Sequence, residues 1–216
     1  MKPTRILSTV IAAVLATSAM SANALTIRIT DGVNTVNCSD GAACDTNATA
    51  GIVSVSTALG ALWLDISSTG YGPNLIPGFS LDLKSGTLST SGPATVQVLL
   101  SDSGFTKAAS NEFLAIGGTS DGTIQMKAYA GVNEFDLTTL LGSTAVLSGT
   151  PFSGSASGNV KLTGPYSLTL WTEITHKGAG LTTYDANLKV PEPGSLALLG
   201  LGLLGIGAAR RTRKVS

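Results

Sequence analysis

Tyr166-Ser167-Leu168-Thr169-Leu170-Trp171-Thr172-Glu173-Ile174 decides the fold class, because apolar and polar side chains alternate along it with a period of two. In a strand, successive side chains point to opposite faces, so such a run places one face in a core and the other in water. Trp171 is the main exception to the alternation. The same period appears outward in both directions, in Leu25-Thr26-Ile27-Arg28-Ile29, Ile52 to Ser56, Phe79 to Leu83, Ala94 to Val98 and Val160 to Thr163. No long segment carries a 3.6-residue stripe. Asn133 to Leu141 is the best helical candidate and reads equally well as a strand.

Between these runs stand residues that favour turns: Asp31-Gly32, Ser85-Gly86, Ser91-Gly92-Pro93, Asp121-Gly122 and Lys177 to Gly180. The small, polar run Gly149 to Gly158 reads as a long loop. Roughly ten to twelve strands at this spacing predict an all-β domain, an antiparallel β-sandwich or barrel. No internal repeat is visible, and one domain spanning residues 25–190 accounts for the central chain.

The ends read differently. Lys2 and Arg5 precede an apolar run from Ile6 to Ala16 and the small-residue site Ala22-Asn23-Ala24, the three parts of a secretory signal peptide over residues 1–24. At about 11 residues the run is too short to favour a permanent span. The whole chain has a formal net charge of zero, but residues 25–190 hold 7 basic and 12 acidic side chains, a balance of −5. So mildly acidic a domain is a poor electrostatic partner for nucleic acid or anionic lipid.

Several residues invite chemical readings. Cys38 and Cys44, sent to an oxidising compartment, read as a local disulfide. The only histidine, His176, is far from them in sequence, which argues against a metal site. Asp40, Asp45 and Asn47 offer oxygen ligands to calcium, but not at the spacing of a helix–loop–helix calcium site. Gly118-Thr119-Ser120-Asp121-Gly122 matches the nucleophile elbow of serine hydrolases, with His176 as base and Asp185 or Glu173 to orient it. Strand alternation follows the motif where a helix is required, so Ser120 reads as the tip of a hairpin. Trp63, Trp171, Tyr71, Tyr166 and Tyr184 could form a sugar-stacking strip, though core packing accounts for them as well. Gly200-Leu201-Gly202-Leu203-Leu204-Gly205 has dinucleotide-binding spacing but lacks the following half of a βαβ unit. Neither cofactor nor metal is expected, and no catalytic residue is assigned.

The stretch from Val190 to Lys214, about 25 residues, has three ordered parts. Pro191-Glu192-Pro193 is held out of helix and sheet by its prolines. Leu196 to Ala209 is apolar, with Leu196, Leu199, Leu203, Leu204 and Ile206 as membrane-anchoring side chains of a short transmembrane helix. Arg210, Arg211, Arg213 and Lys214 form a stop-transfer cluster. At 14 residues the apolar run would extend about 21 Å as a helix, short of the roughly 30 Å of a hydrocarbon core. A short span of this kind suits an anchor that is later cut away.

Val190 to Lys214 closely resembles the PEP-CTERM sorting signal. The resemblance implies a protein exported by a Gram-negative bacterium that makes exopolysaccharide. It also implies recognition of Pro191, Glu192 and Pro193 by an exosortase, a membrane-embedded transpeptidase-like enzyme. The implied route is transient anchoring in the inner membrane with the domain in the periplasm, then the cell surface or extracellular matrix. The expected role is that of a non-enzymatic surface or matrix protein associated with exopolysaccharide or biofilm. The alternatives are a carbohydrate-binding module using exposed aromatics and a hydrolase using Ser120 and His176.

Overall fold

A computed structural model describes residues 25–71, 80–105, 110–162 and 164–189. The expected signal peptide, the sorting tail with its expected helix, and the residues named in them lie outside the described residues. Among the described residues eleven strands follow one another: β1 (Thr26–Thr30), β2 (Thr35–Ser39), β3 (Ile52–Leu59), β4 (Leu62–Tyr71), β5 (Ser80–Thr90), β6 (Ala94–Phe105), β7 (Ser110–Gly131), β8 (Thr139–Ser143), β9 (Leu147–Val160), β10 (Tyr166–His176) and β11 (Gly180–Lys189).

All pairings are antiparallel, in the order β2-β1-β6-β10-β7-β11-β5-β4-β3, with β8 and β9 alongside β7. The first half of β7 pairs with β11, from Phe113↔Lys189 to Ser120↔Thr182. Its second half pairs with β10, from Thr123↔Thr175 to Gly131↔Ser167. The long strand therefore leaves one layer and enters the other, and the sheet folds over on itself as a nearly closed sandwich. Bulges between Gly118 and Thr123 mark the crossing, as expected where a strand turns a corner.

Each layer presents alternate residues to a common interior. Ile27, Leu100, Leu170 and Ala128 form one row across the first layer; Leu64, Leu83, Leu114 and Leu188 are buried in the second. Thr172 is one of several polar side chains that are buried. Its hydroxyl donates to Val98 O and lies 3.3 Å from the Tyr184 hydroxyl, which comes from the opposite layer.

Three sequence expectations need correction. Asp121-Gly122 and Ser120 are not at a hairpin tip but inside β7. Gly122 serves close approach there, since a Cβ would stand 2.2 Å from Thr175 O. Gly149 to Gly158 is strand, part of β9, because its small residues let neighbours pack tightly: a Cβ on Gly158 would stand 1.5 Å from Leu141 O. Ser85-Gly86 lies within β5, where the register shifts because β5 carries one residue more than its neighbours β11 and β4. Asn133 to Leu141 resolves into a turn leading into β8.

Candidate functional site

The outer face of the first layer carries a groove of about 600 Å³ beneath the turn that follows β7. Its floor comes from β1 and β2, where the register sets Arg28 directly opposite Asn37. Arg28 Nε donates to Asn37 Oδ1 at 2.8 Å, and the guanidinium carbon stands 4.0 Å from the centre of the Phe135 ring. Phe135 has φ = 59°, a left-handed conformation that a bulky side chain rarely adopts.

Hydrogen bonds hold that turn in place. Asp136 accepts from Val132 N at 3.1 Å and from Thr138 N at 3.0 Å, while its own N–H donates to Asn133 O at 3.2 Å. The bonds from Val132 and Thr138 keep the Asp136 carboxyl below the usual range. Phe135 N donates to Ser101 Oγ at 3.2 Å, and Ser167 Oγ donates to Asn133 O. Nothing in the sequence signalled this groove. Arg28 reads as an ordinary outward strand residue until the register gives it its neighbours.

The hydrolase candidates do meet, but not as a catalytic pair. Thr182 Oγ1 lies 2.7 Å from Ser120 Oγ and 2.9 Å from His176 Nε2, standing between them, and Gly122 N donates to Ser120 Oγ at 3.0 Å. All three side chains are buried. Burial depresses the His176 pKa, partly offset by the nearby Asp121 carboxylate. Glu173 is taken up by Gln97 Nε2, which donates to it at 2.9 Å. A nucleophile needs contact with its base and access to substrate. The cluster has neither, and it locks the β7 bulge to the β10–β11 hairpin.

Nor do the aromatic residues form a strip. Tyr166 and Tyr184 belong to the core, Tyr166 stacking 5.7 Å from Phe105 between ring centres. Trp171 faces outward but is covered, with Lys127 Nζ 4.5 Å from its ring centre. Trp63, on the other layer, is substantially open at 54 % exposure. The side chain of Tyr71 lies outside the described residues. Core packing therefore accounts for Tyr166 and Tyr184, and the alternative of a sugar-stacking strip is left with one exposed tryptophan.

Cys38 and Cys44 are joined, with an S–S distance of 2.08 Å. The neighbouring acids brace the following turn. Asp45 accepts from Gly41 N, Asn47 N and Ser54 N, and Asp40 accepts from Gly51 N. Burial raises the Asp45 pKa, but these three bonds outweigh it and leave the carboxyl below its usual value. Among the described residues no group of three or more His, Cys, Asp or Glu side chains could hold a metal ion.

The remaining site begins where β11 ends. Residues 189–214 match the family model of the PEP-CTERM protein-sorting motif. The chain carries a PEP-CTERM sorting motif. Its first residue, Lys189, is the last of β11, so the PEP-CTERM tail leaves the sandwich directly from an interior strand paired with β5 and β7. Such a motif marks an exported protein that is membrane-anchored before processing by an exosortase. Among the described residues no helix is long and apolar enough to cross a membrane.

No curated protein matches the chain in sequence. Among solved structures it is similar to the enzymatically active domain of tailspike protein 4 of bacteriophage CBA120 (12% identity, TM-score 0.37), over 64% of this chain and 19% of that one. It is also similar to TmCBM61 in complex with β-1,4-galactotriose (8% identity, TM-score 0.31, 56% of this chain and 85% of that one). A third is CsCBM6-3 from Clostridium stercorarium in complex with cellobiose (14% identity, TM-score 0.25, 66% and 93%). The chain spans about a fifth of the tailspike's length. Likenesses of this size assign no ligand.

Proposed function

We propose that this is a non-enzymatic exported protein, released from the inner membrane by an exosortase-type enzyme and retained at the cell surface or in the matrix with exopolysaccharide. The observation that carries the reading is the match of residues 189–214 to the sorting motif, which begins at the last residue of the final strand. In this reading residues 1–24 direct export, residues 25–190 form the working domain, and residues 191–214 govern release. Pro191, Glu192 and Pro193 are what the enzyme reads. The apolar run from Leu196 holds them at the membrane, and the cations from Arg210 to Lys214 stop further passage. Burial of Ser120, Thr182 and His176 speaks against a hydrolase.

Changing Pro191, Glu192 and Pro193 to alanine tests this in cells that possess the sorting enzyme. Export and folding should persist, while fractionation finds the protein held at the inner membrane. Release equal to the unaltered chain would overturn the reading.

A further inference from the structure

We propose that the groove between Arg28 and Phe135 is a binding site for a neutral polysaccharide. The proposal rests on the reading above, in that it requires a domain exposed to the matrix. Arg28 is set for recognition before any ligand arrives. Its Nε is taken by Asn37 Oδ1 and its guanidinium carbon lies over the Phe135 ring. Among the described residues, its terminal nitrogens bond to no protein atom, so they remain for an incoming oxygen. A guanidinium fixed in this way loses little further side-chain freedom when it binds.

Phe135 supplies the second argument. A left-handed backbone at an aromatic residue costs free energy and persists only where its surroundings enforce it; such residues cluster at active sites, ligand clamps and switch regions. Here the enforcing bonds come from Asp136 and Ser101, and the result is a ring fixed above the Arg28 guanidinium at the groove wall.

The lining selects the ligand class. Asn37 and Asn133 offer amide groups, and Glu134 offers a carboxylate that offsets the charge of Arg28. Donors, acceptors and an apolar wall together suit a polyhydroxylated ring. A polyanion meets the repulsion of a domain whose balance is −5. An extended peptide would need free backbone groups to pair with. Arg28 lies on the face of an interior strand whose backbone is already paired to β2 and β6. The groove is open, with the volume of an ordinary ligand site, so a polymer can pass along it without threading.

Affinity electrophoresis and calorimetry of the secreted, processed protein test the proposal, with cellohexaose, laminarin and galactan as neutral probes and alginate as the polyuronate. At least one neutral probe should bind. Arg28→Lys, which keeps the charge and loses the planar fork, should weaken it at least about tenfold. Phe135→Gly, which removes the ring while suiting the left-handed backbone, should do likewise. Trp63→Ala, on the other layer, should leave binding unchanged. Failure of every neutral probe, binding of alginate alone, or loss of binding in Trp63→Ala with none in Arg28→Lys would each overturn it. The Arg28 and Phe135 variants should still be sorted and released. A null binding result with normal release therefore removes this inference alone, and defective release of the triple-alanine variant is read independently of any sugar.

Discussion

Thr182 Oγ1 stands 2.9 Å from His176 Nε2, six residues back across the same hairpin, and this contact ties the end of β10 to the start of β11. The same hydroxyl reaches Ser120 at 2.7 Å, so one oxygen joins three strands at the point where β7 changes layers.

Thr182→Val keeps the shape and removes that oxygen. The variant should lose about 1–3 kcal/mol of stability, the usual cost of leaving buried polar groups without a partner. Urea unfolding gives the difference, and Thr182→Ser should recover most of it. An unchanged midpoint in Thr182→Val would show that the three strands do not depend on this bridge.

Reduction of Cys38–Cys44 should loosen one turn and leave the sheet standing. A loop this short contributes about 2 kcal/mol in the chain-entropy model. The turn keeps its bonds from Gly41, Asn47 and Ser54 to Asp45. Far-ultraviolet circular dichroism with and without reductant checks this; collapse of the strand signal would contradict it.

Asp102 is buried, and desolvation raises its pKa to about 6, against the lowering effect of the Ser103 N–H and with a smaller push from Glu134. A carboxyl whose folded pKa lies above its unfolded one penalises the fold as it ionises. The penalty is absent below about pH 4 and grows to roughly 3 kcal/mol at most above pH 6. Asp102→Asn should therefore stabilise the protein at pH 8 and give little or nothing at pH 4. Denaturant midpoints at the two pH values decide it, and an equal shift at both would refute the assignment.

Gly158→Ala should cost at least about 2 kcal/mol, because the added carbon overlaps the Leu141 carbonyl. Gly178→Ala, with nothing within 4 Å, is the control and should be tolerated. Thermal melting of the pair tests whether β8 and β9 pack as closely as described.

The alternating runs were legible because their chemistry and the strand share one period: β1, β3, β6, β10 and much of β7 follow from the apolar positions. β9 was hidden because serine and glycine give no hydrophobic rhythm, and what places them in a strand is the proximity of Leu141 and Leu147. The length of β7 was hidden because Thr119-Ser120-Asp121-Gly122 uses the residues that favour turns. Trp171 stood out from its alternation, yet only Lys127 on the neighbouring strand explains how an outward tryptophan is covered. Of the candidate sites, the sorting tail is written contiguously in the chain and could be read directly. The Arg28–Phe135 groove joins residues more than a hundred positions apart through register.

The exit of the tail from β11 also has a mechanical meaning. Hydrogen bonds in an antiparallel sheet run perpendicular to the strands, and β11 is bonded along both sides, to β5 and to β7. Tension drawn through Lys189 along the strand would load those two rows in shear, many bonds at once. An edge strand pulled outward would open like a zipper, one bond at a time. While the chain is tethered, drag on the domain thus falls on the part of the sandwich best arranged to bear it.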